Sequence, residues 1–171
     1  MHFEKVPFSE YKRAYIDTLQ LNEETTNDDS FEEWLKLEWE GIKLPARATE
    51  GSAGYDFYLP SDIAISKGVP CTVFTGIRAS IDPGWFLMLL PRSGLGFKYG
   101  MRLNNTTGVV DEDYFCADNY GHIMAKFTTN ADMYLHAGDR FMQGVFVQYG
   151  LVKNDRPVNS SRTGGFGSTG A

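Results

Sequence analysis

Apolar residues recur at helical spacing near the start of the chain. Five of them repeat every three or four positions, namely Phe8, Tyr11, Tyr15, Ile16 and Leu19. This spacing predicts an amphipathic helix over residues 8–21. The stretch NEETTNDD that follows predicts an acidic, polar connection.

A second helix is predicted for SFEEWLKLEW, residues 30–39. Ser30 followed three positions later by Glu33 is the pattern of a capping box, with Ser30 as the N-cap. Gly41 is a plausible stop for this helix. Its aromatic residues Phe31, Trp34 and Trp39 have two interpretations: they pack on the rest of the protein, or they form a docking surface for another protein.

From Ile42 onward the pattern changes to short apolar stretches divided by turn residues. Alternation of apolar and polar positions predicts strands in DIAIS and CTVFTGIRASI, and the apolar run FLMLL predicts a buried strand. HIMAKF, DMYLHAGDR and FMQGVFVQYG are predicted to supply further strands and one tight turn. RLNNTTGVVDEDY suggests a hairpin. The chain is therefore predicted to be one all-β domain, residues 1–171, as a sandwich, barrel or jelly roll, with a helical segment at 8–40.

Charge is unevenly distributed along the chain. The net charge is −6, and residues 1–42 contain eleven acidic and only four basic residues. The remaining body is close to neutral and lacks the basic stripe of a nucleic-acid binder, which leaves room for a small anionic ligand. No apolar run reaches the length of a membrane helix, and the N-terminus lacks the order of a signal peptide, so we expect a cytoplasmic protein.

Metal and disulfide chemistry find little support in the sequence. Cys71 and Cys116 are expected to be reduced structural thiols, because the chain has no CxxC motif. The three histidines, His2, His122 and His136, lack the spacing of a zinc site.

Two glycine-containing segments combine small residues with charge. AGYDF places Asp56 in a predicted strand, although strands usually avoid both glycine and aspartate. Gly54 is expected to let neighbouring backbone approach closely. In PRSGLGFKYG, residues Arg92, Ser93 and Gly94 could cradle phosphate oxygens, although a solvent-exposed turn is the alternative.

Three further segments have a functional and a structural interpretation. Asp111 and Asp113 would share one face of a strand, where one carboxylate could serve as a general base or both could be solvated. Gln143 lies in an apolar strand and is either a core glutamine or a ligand-binding one. RTGGFG near the C-terminus is either disordered or closes over a ligand, with Phe166 stacking on a base.

Taken together, five segments in this order resemble the five motifs of the homotrimeric all-β dUTPase family: AGYDF, PRSGLG, GVVDEDY, GDRFMQ and GGFGSTG. The resemblance covers roughly three-quarters of the chain. It implies a distorted jelly-roll or β-clip barrel and hydrolysis of dUTP to dUMP and pyrophosphate, which limits uracil incorporation into DNA. It also implies Mg²⁺ as cofactor and a homotrimer whose three active sites are each assembled from several subunits.

The resemblance assigns a role to each motif residue. Asp111 would activate the attacking water, and Tyr114 would pack under the deoxyribose and exclude a 2′-hydroxyl. Asn105 and Gly108 would bind the uracil edge, and Phe166 would lie over the ring. The residues assigned to the phosphates are Arg92, Ser93, Gly94, Gln143, Arg162, Ser168 and Thr169.

Two assignments concern the metal and the C-terminal tail. Mg²⁺ would be held by the substrate phosphates and waters without a direct protein ligand, and Asp56 would be a catalytic residue that lies near those waters. A structural Asp56, bonded to a nearby arginine, is the alternative. Residues 159–171 are expected to be a mobile tail that closes over the site.

The sequence departs from the family pattern at three places. In the family pattern two residues stand between this arginine and the Gly-Gly pair, whereas here only Thr163 separates Arg162 from it. CADNY, residues 116–120, adds about five residues after motif three and is predicted to be a tolerated surface insertion that contains Cys116. Residues 8–40 would be inserted after a first strand in HFEKV, which is compatible with a phage or bacterial member.

Two rival functions remain open. A dCTP deaminase shares the fold and the trimer but requires a glutamate on the strand after the hairpin, where this chain reads HIMAKF without a carboxylate. A nucleotide-responsive interaction module would instead use residues 8–40 to contact a partner protein.

Overall fold

Strands form most of the body of the protein. The computed structural model describes residues 1–157, apart from the side chain of Glu23. Its eleven strands are β1 (His2–Lys5), β2 (Ala46–Arg47), β3 (Tyr55–Tyr58), β4 (Ile63–Ile65), β5 (Cys71–Ser80), β6 (Trp85–Pro91), β7 (Arg102–Leu103), β8 (Gly108–Val110), β9 (Ile123–Thr128), β10 (Met133–Leu135) and β11 (Arg140–Gln148).

The strands pair in two antiparallel sheets and one short ribbon. One sheet has the order β1-β5-β9-β7, the other has the order β2-β3-β11-β6-β8, and β4 pairs with β10. Within residues 1–157 these pairings leave both sheets open, so no closed barrel forms. The predicted all-β jelly-roll class is confirmed.

Aromatic side chains fill the space between the two sheets. Phe127 of β9 and Phe141 of β11 are fully buried, and their ring centroids lie 5.5 Å apart. Phe3 of β1 lies 5.6 Å from Phe57 of β3 in an edge-on arrangement. These inward-facing positions explain the alternation of apolar and polar residues along the strands.

Four helices interrupt the strands: α1 (Phe8–Leu19), α2 (Glu23–Thr26), α3 (Asp29–Gly41) and α4 (Ser93–Tyr99). The predicted helix at residues 8–21 is confirmed as α1, which ends two residues earlier. The short helix α2 was not predicted. It begins where the side chain of Asn22 accepts a hydrogen bond from the amide of Thr25 at 2.9 Å.

The predicted cap of the second helix is wrong. Asp28, not Ser30, is the N-cap of α3, and its carboxylate accepts hydrogen bonds from the amide of Ser30 at 2.8 Å and from the Ser30 hydroxyl at 2.7 Å. An ionised acceptor is favoured at a helix N-terminus, which explains why the aspartate replaces the serine. The predicted stop at Gly41 is confirmed.

The helical segment packs against the outer face of strand β5. The ring of Tyr15 stacks on Phe74 with centroids 4.0 Å apart, and Tyr11 is fully buried. Both tyrosine hydroxyls donate to the buried carboxylate of Glu38. Burial, reinforced by this carboxylate, raises the pKa of both phenols well above the usual range.

The aromatic residues of α3 differ in how closely they pack on the rest of the protein, and the docking surface stays a prediction. Trp39 packs on the body, because its indole N–H donates to the carbonyl of Val6 at 2.8 Å. Trp34 lies against Tyr15 but remains 47% exposed. No helix among residues 1–157 is both long enough and apolar enough to cross a lipid bilayer.

Two expectations for the loops are wrong. PRSGLGFKYG does not form the solvent-exposed turn that was its structural alternative, since α4 runs from Ser93 to Tyr99 and ends at Gly100, whose φ of +62° favours glycine. RLNNTTGVVDEDY does not form a paired hairpin, because β7 pairs with β9 and β8 pairs with β6 in the other sheet. The polar turn therefore carries the chain from one sheet to the other.

Candidate active site

One carboxylate holds two arginines at the end of the larger sheet. Asp56 on β3 is almost fully buried. Its Oδ1 lies 3.3 Å from Nε of Arg92, and its Oδ2 accepts a hydrogen bond from Nη1 of Arg140 at 3.1 Å. Both guanidinium groups remain partly exposed. The structure therefore shows the contact expected for a structural Asp56, and a role for it near metal-bound water stays a prediction.

A β-bulge places Arg140 beside Asp56. Arg140 pairs with Tyr58 and Gln143 pairs with Asp56, but the register shifts by one residue between Arg140 and Met142. Residues three apart on a regular strand point to opposite faces, so without the bulge Arg140 would face away from Gln143. Because of the shift, both side chains share the face of Asp56.

The remaining phosphate candidates lie next to this arginine pair. Ser93 and Gly94 are the first two residues of α4 and are exposed. Amides at these positions have no partner within a helix and are free to bind a ligand. A Cβ added at Gly54 would lie 2.6 Å from Oε1 of Gln143, so the close approach expected at this glycine is to the Gln143 side chain rather than to backbone.

The candidate uracil-binding residues lie around strand β8. Asn105 is exposed in the turn before this strand, and Thr106 beside it has a φ of +68°. Gly108 faces Leu89 of β6, and a Cβ added there would lie 2.9 Å from the Cβ of Leu89. Only glycine lets these two strands approach so closely without a shift.

Asp111 and Tyr114 follow directly after β8. Asp111 is half-buried and extended, and a 3₁₀ helix (Glu112–Cys116) starts after it. Tyr114 is only 7% exposed, and its hydroxyl donates to the carbonyl of His122 at 2.9 Å. The phenol is thus held in the body of the protein, and only a small part of its side chain is exposed to solvent.

Strand β6 separates the two groups of candidate residues. Arg92 follows its last residue, whereas Val110, which precedes Asp111, pairs with Leu87 near its beginning. At roughly 3.3 Å per residue, the backbones of Arg92 and Asp111 lie about 20 Å apart along the strand. One chain therefore brings Asp56, Arg92 and Gln143 together but leaves Asp111 remote from them.

Several predicted features lie elsewhere or outside the described residues. Arg162, Phe166, Ser168, Thr169 and the tail 159–171 are outside residues 1–157. Cys71 and Cys116 are free thiols, as expected. Among the described residues, no cluster of three histidine, cysteine, aspartate or glutamate side chains could hold a metal ion.

Comparison with known proteins identifies the family. Residues 40–170 match the model of the dUTPase family, so the chain belongs to that family. The match begins where the helical segment ends. The deoxyuridine 5′-triphosphate nucleotidohydrolase of Lactococcus lactis is 37% identical over 145 residues, covering 82% of this chain and 97% of the relative. The enzyme of the same name from Hahella chejuensis is 41% identical over 138 residues, covering 75% and 88%.

Solved structures show the same fold. A dUTPase from Streptococcus mutans superposes with a TM-score of 0.64 at 30% identity, over 90% of this chain and 100% of that chain. A dUTPase from phage phi11 of Staphylococcus aureus, whose structure concerns the coordination of a structural Mg(II) ion, has a TM-score of 0.59 at 20% identity. That match covers 72% of this chain and 94% of the phage protein.

Arg140 is the site residue that the sequence analysis missed. It stands inside GDRFMQ, but only Gln143 of that motif received a role. The sequence signal for Arg140 was a basic residue three positions before Gln143. Strict strand alternation would have placed Arg140 on the face opposite to Gln143.

Proposed function

We propose that the chain hydrolyses dUTP to dUMP and pyrophosphate, with water activated by Asp111. Membership of the dUTPase family supports this reaction. The observation that carries the proposal is the cluster of Arg92 and Arg140 on the buried Asp56, next to the free amides of α4.

The arginine cluster supplies what phosphate binding requires. Hydrolysis of a phosphoanhydride depends mainly on neutralising charge and positioning the groups. Arg92 and Arg140 present two cations, and Asp56 fixes their orientation before the substrate arrives. Ser93 and Gly94 add hydrogen-bond donors beside them, and Gln143 adds an amide.

The residues in and around β8 supply the chemistry and the selectivity. Asp111 accepts a proton from the water that attacks the phosphate chain. The buried ring of Tyr114 forms the floor under the deoxyribose and leaves no room for a ribose 2′-hydroxyl. Asn105 and the main chain at Gly108 hydrogen-bond the uracil edge.

A complete site requires more than one copy of the chain. Asp111 and Arg92 lie too far apart within one subunit to act on the same phosphate chain. A symmetric homotrimer that places Asp111 of one copy against Arg92 of the next supplies both halves, in three equivalent sites.

Magnesium enters as part of the substrate. The described residues offer no metal cluster, and both oxygens of Asp56 already contact arginines. This arrangement fits Mg²⁺ carried by the three phosphates and its own waters, where it neutralises phosphate charge.

The proposal is tested by pyrophosphate release from dUTP, dTTP, dCTP and UTP, with Mg²⁺ and with the metal chelated. We expect cleavage of dUTP alone, and only with Mg²⁺. Ammonia release from dCTP would favour the deaminase instead. Absence of cleavage of dUTP together with absence of binding by calorimetry would refute the proposal.

A further inference from the structure

The hydroxyl group of Tyr114 is held by an asparagine from the loop at residues 116–120. Nδ2 of Asn119 donates to the Tyr114 hydroxyl at 2.7 Å and to the carbonyl of His122 at 3.1 Å. The same hydroxyl donates to the His122 carbonyl at 2.9 Å. A phenol has one hydrogen to donate, so these bonds fix both its donor and an acceptor direction.

The loop that carries Asn119 is anchored to the body at several points. The guanidinium of Arg78 lies between two rings, 3.3 Å from the centroid of Phe115 and 4.1 Å from that of Tyr120. Nε2 of His122 accepts the amide of Gly76 at 2.9 Å. Within residues 116–120, Tyr120 packs on Arg78 of β5 while Cys116 and Asp118 remain exposed, so the expectation of a tolerated surface insertion stays a prediction.

The helical segment supports the same loop from its other side. The guanidinium of Arg13 on α1 donates to the carbonyl of Asp118. The ring of Tyr11 lies 5.8 Å from that of His122. Asn119 therefore sits in a loop fixed by both the sheet and α1, and its amide group has a defined position.

The other end of the Asn119 side chain gains nothing from this position. Its Oδ1 is buried and has no hydrogen-bond partner among the residues that the structure describes. A buried acceptor without a partner reduces stability. Asn119 is thus better explained by the bond that it donates to Tyr114 than by a contribution to folding.

We propose that Asn119 is a positioning residue that fixes the ring of Tyr114 and so sets the discrimination between dUTP and UTP. This inference rests on the proposed function, because it assumes that Tyr114 lies under the sugar. Without the amide donor the phenol loses the bond from Asn119, and the ring can tilt away from the place where a 2′-hydroxyl would clash. The site then discriminates less between the two sugars.

The test measures kcat/KM for dUTP and UTP in Asn119→Ala and in Asn119→Leu, which keeps the approximate size and shape but removes the donor. We expect the ratio of the two kcat/KM values to fall about tenfold in both variants, with little change in melting temperature. Asp118→Ala is the matched control, because the Asp118 side chain is exposed and the residue contacts Arg13 through its main-chain carbonyl. Its ratio should stay within about twofold of wild type.

A double-mutant cycle separates positioning from loop stability. In a Tyr114→Phe background the hydroxyl is gone, so Asn119→Ala should cause no further loss of discrimination. An equal loss in that background, or an unchanged ratio in both single variants, would overturn the inference. If Asn119→Ala fails to fold, Asn119→Leu decides the matter. A wild-type chain that leaves dUTP uncleaved refutes the proposed function instead, so the two failures are distinguishable.

Discussion

Asp56 contacts Arg92 at 3.3 Å while it is only 7% exposed, so a nearly buried carboxylate orients an arginine that reaches solvent. The same carboxylate binds Arg140 through its other oxygen. A pre-oriented pair of cations costs less conformational entropy when it binds an anion than two free side chains would. In the proposed function, Asp56 would therefore prepare the phosphate site before the substrate binds.

Replacing Asp56 with asparagine tests this role. Asp56→Asn removes the charge that holds both arginines, and we expect kcat/KM for dUTP to fall about 10- to 100-fold, because misplaced binding groups lose much of their effect. The fold should persist, since both arginines reach solvent. Steady-state pyrophosphate release and a thermal melt on the same sample provide the measurement. The control is Asp17→Asn, at an exposed position on α1. An unchanged kcat/KM in Asp56→Asn would show that Asp56 is not needed to orient the two arginines.

Asp111 is predicted to be needed for turnover and not for binding. Asp111→Asn should bind dUTP with nearly normal affinity but lose about 10²- to 10⁴-fold in kcat, because the general base is absent while the pocket persists. Calorimetry and pyrophosphate release separate the two effects. Asp113→Asn, two residues along in an exposed position, should stay close to wild type. Equal losses in both variants would mean that the acidic cluster, and not one base, is required.

His122 is predicted to make the fold sensitive to acid. Burial lowers the pKa of His122 from 6.5 to about 3. The unfolded chain therefore binds a proton between these two pH values while the folded chain does not, so stability falls as the pH falls through this window. At pH 5 the loss from this group is about 2 kcal/mol relative to pH 7.5.

Urea unfolding at pH 7.5 and pH 5 measures this effect. Other groups also titrate in this range, so the comparison is made with His122→Gln, which keeps an acceptor for the amide of Gly76 but does not titrate. The drop in unfolding free energy between the two pH values should be smaller in the variant. Equal drops in both proteins would show that His122 does not contribute.

Local patterns predicted the elements well, and long-range pairing explains what they missed. Helix α1 and the long strands follow from the spacing of their apolar residues. The helix α4 was missed because Gly94 and Gly96 lower helix propensity, and the tertiary structure overrides that preference. Arg140 was missed because a bulge changes the phase of its strand, and a bulge leaves little trace in a single sequence.

The separation of Arg92 from Asp111 along strand β6 could not be predicted from the sequence either. The motifs around Arg92 and Asp111 are only nineteen positions apart in the chain, which suggests proximity. Their separation depends on which residue of β6 pairs with Val110, and pairing register is decided by the packed sheet. The resemblance to a family implied shared sites, and the structure of one chain supplies the physical reason for expecting them.

Mixing two inactive variants tests most directly whether the site is built between copies of the chain. Arg92→Ala and Asp111→Asn are mixed, unfolded and refolded together, and dUTP cleavage is measured. Random trimers should regain about one quarter of wild-type activity, because one site in four takes its intact Arg92 and its intact Asp111 from different copies. Arg92→Ala mixed with Gln143→Ala is the control and should regain nothing, since those defects lie in the same half-site. Activity no greater than that of the separate parents in the first mixture would contradict the account.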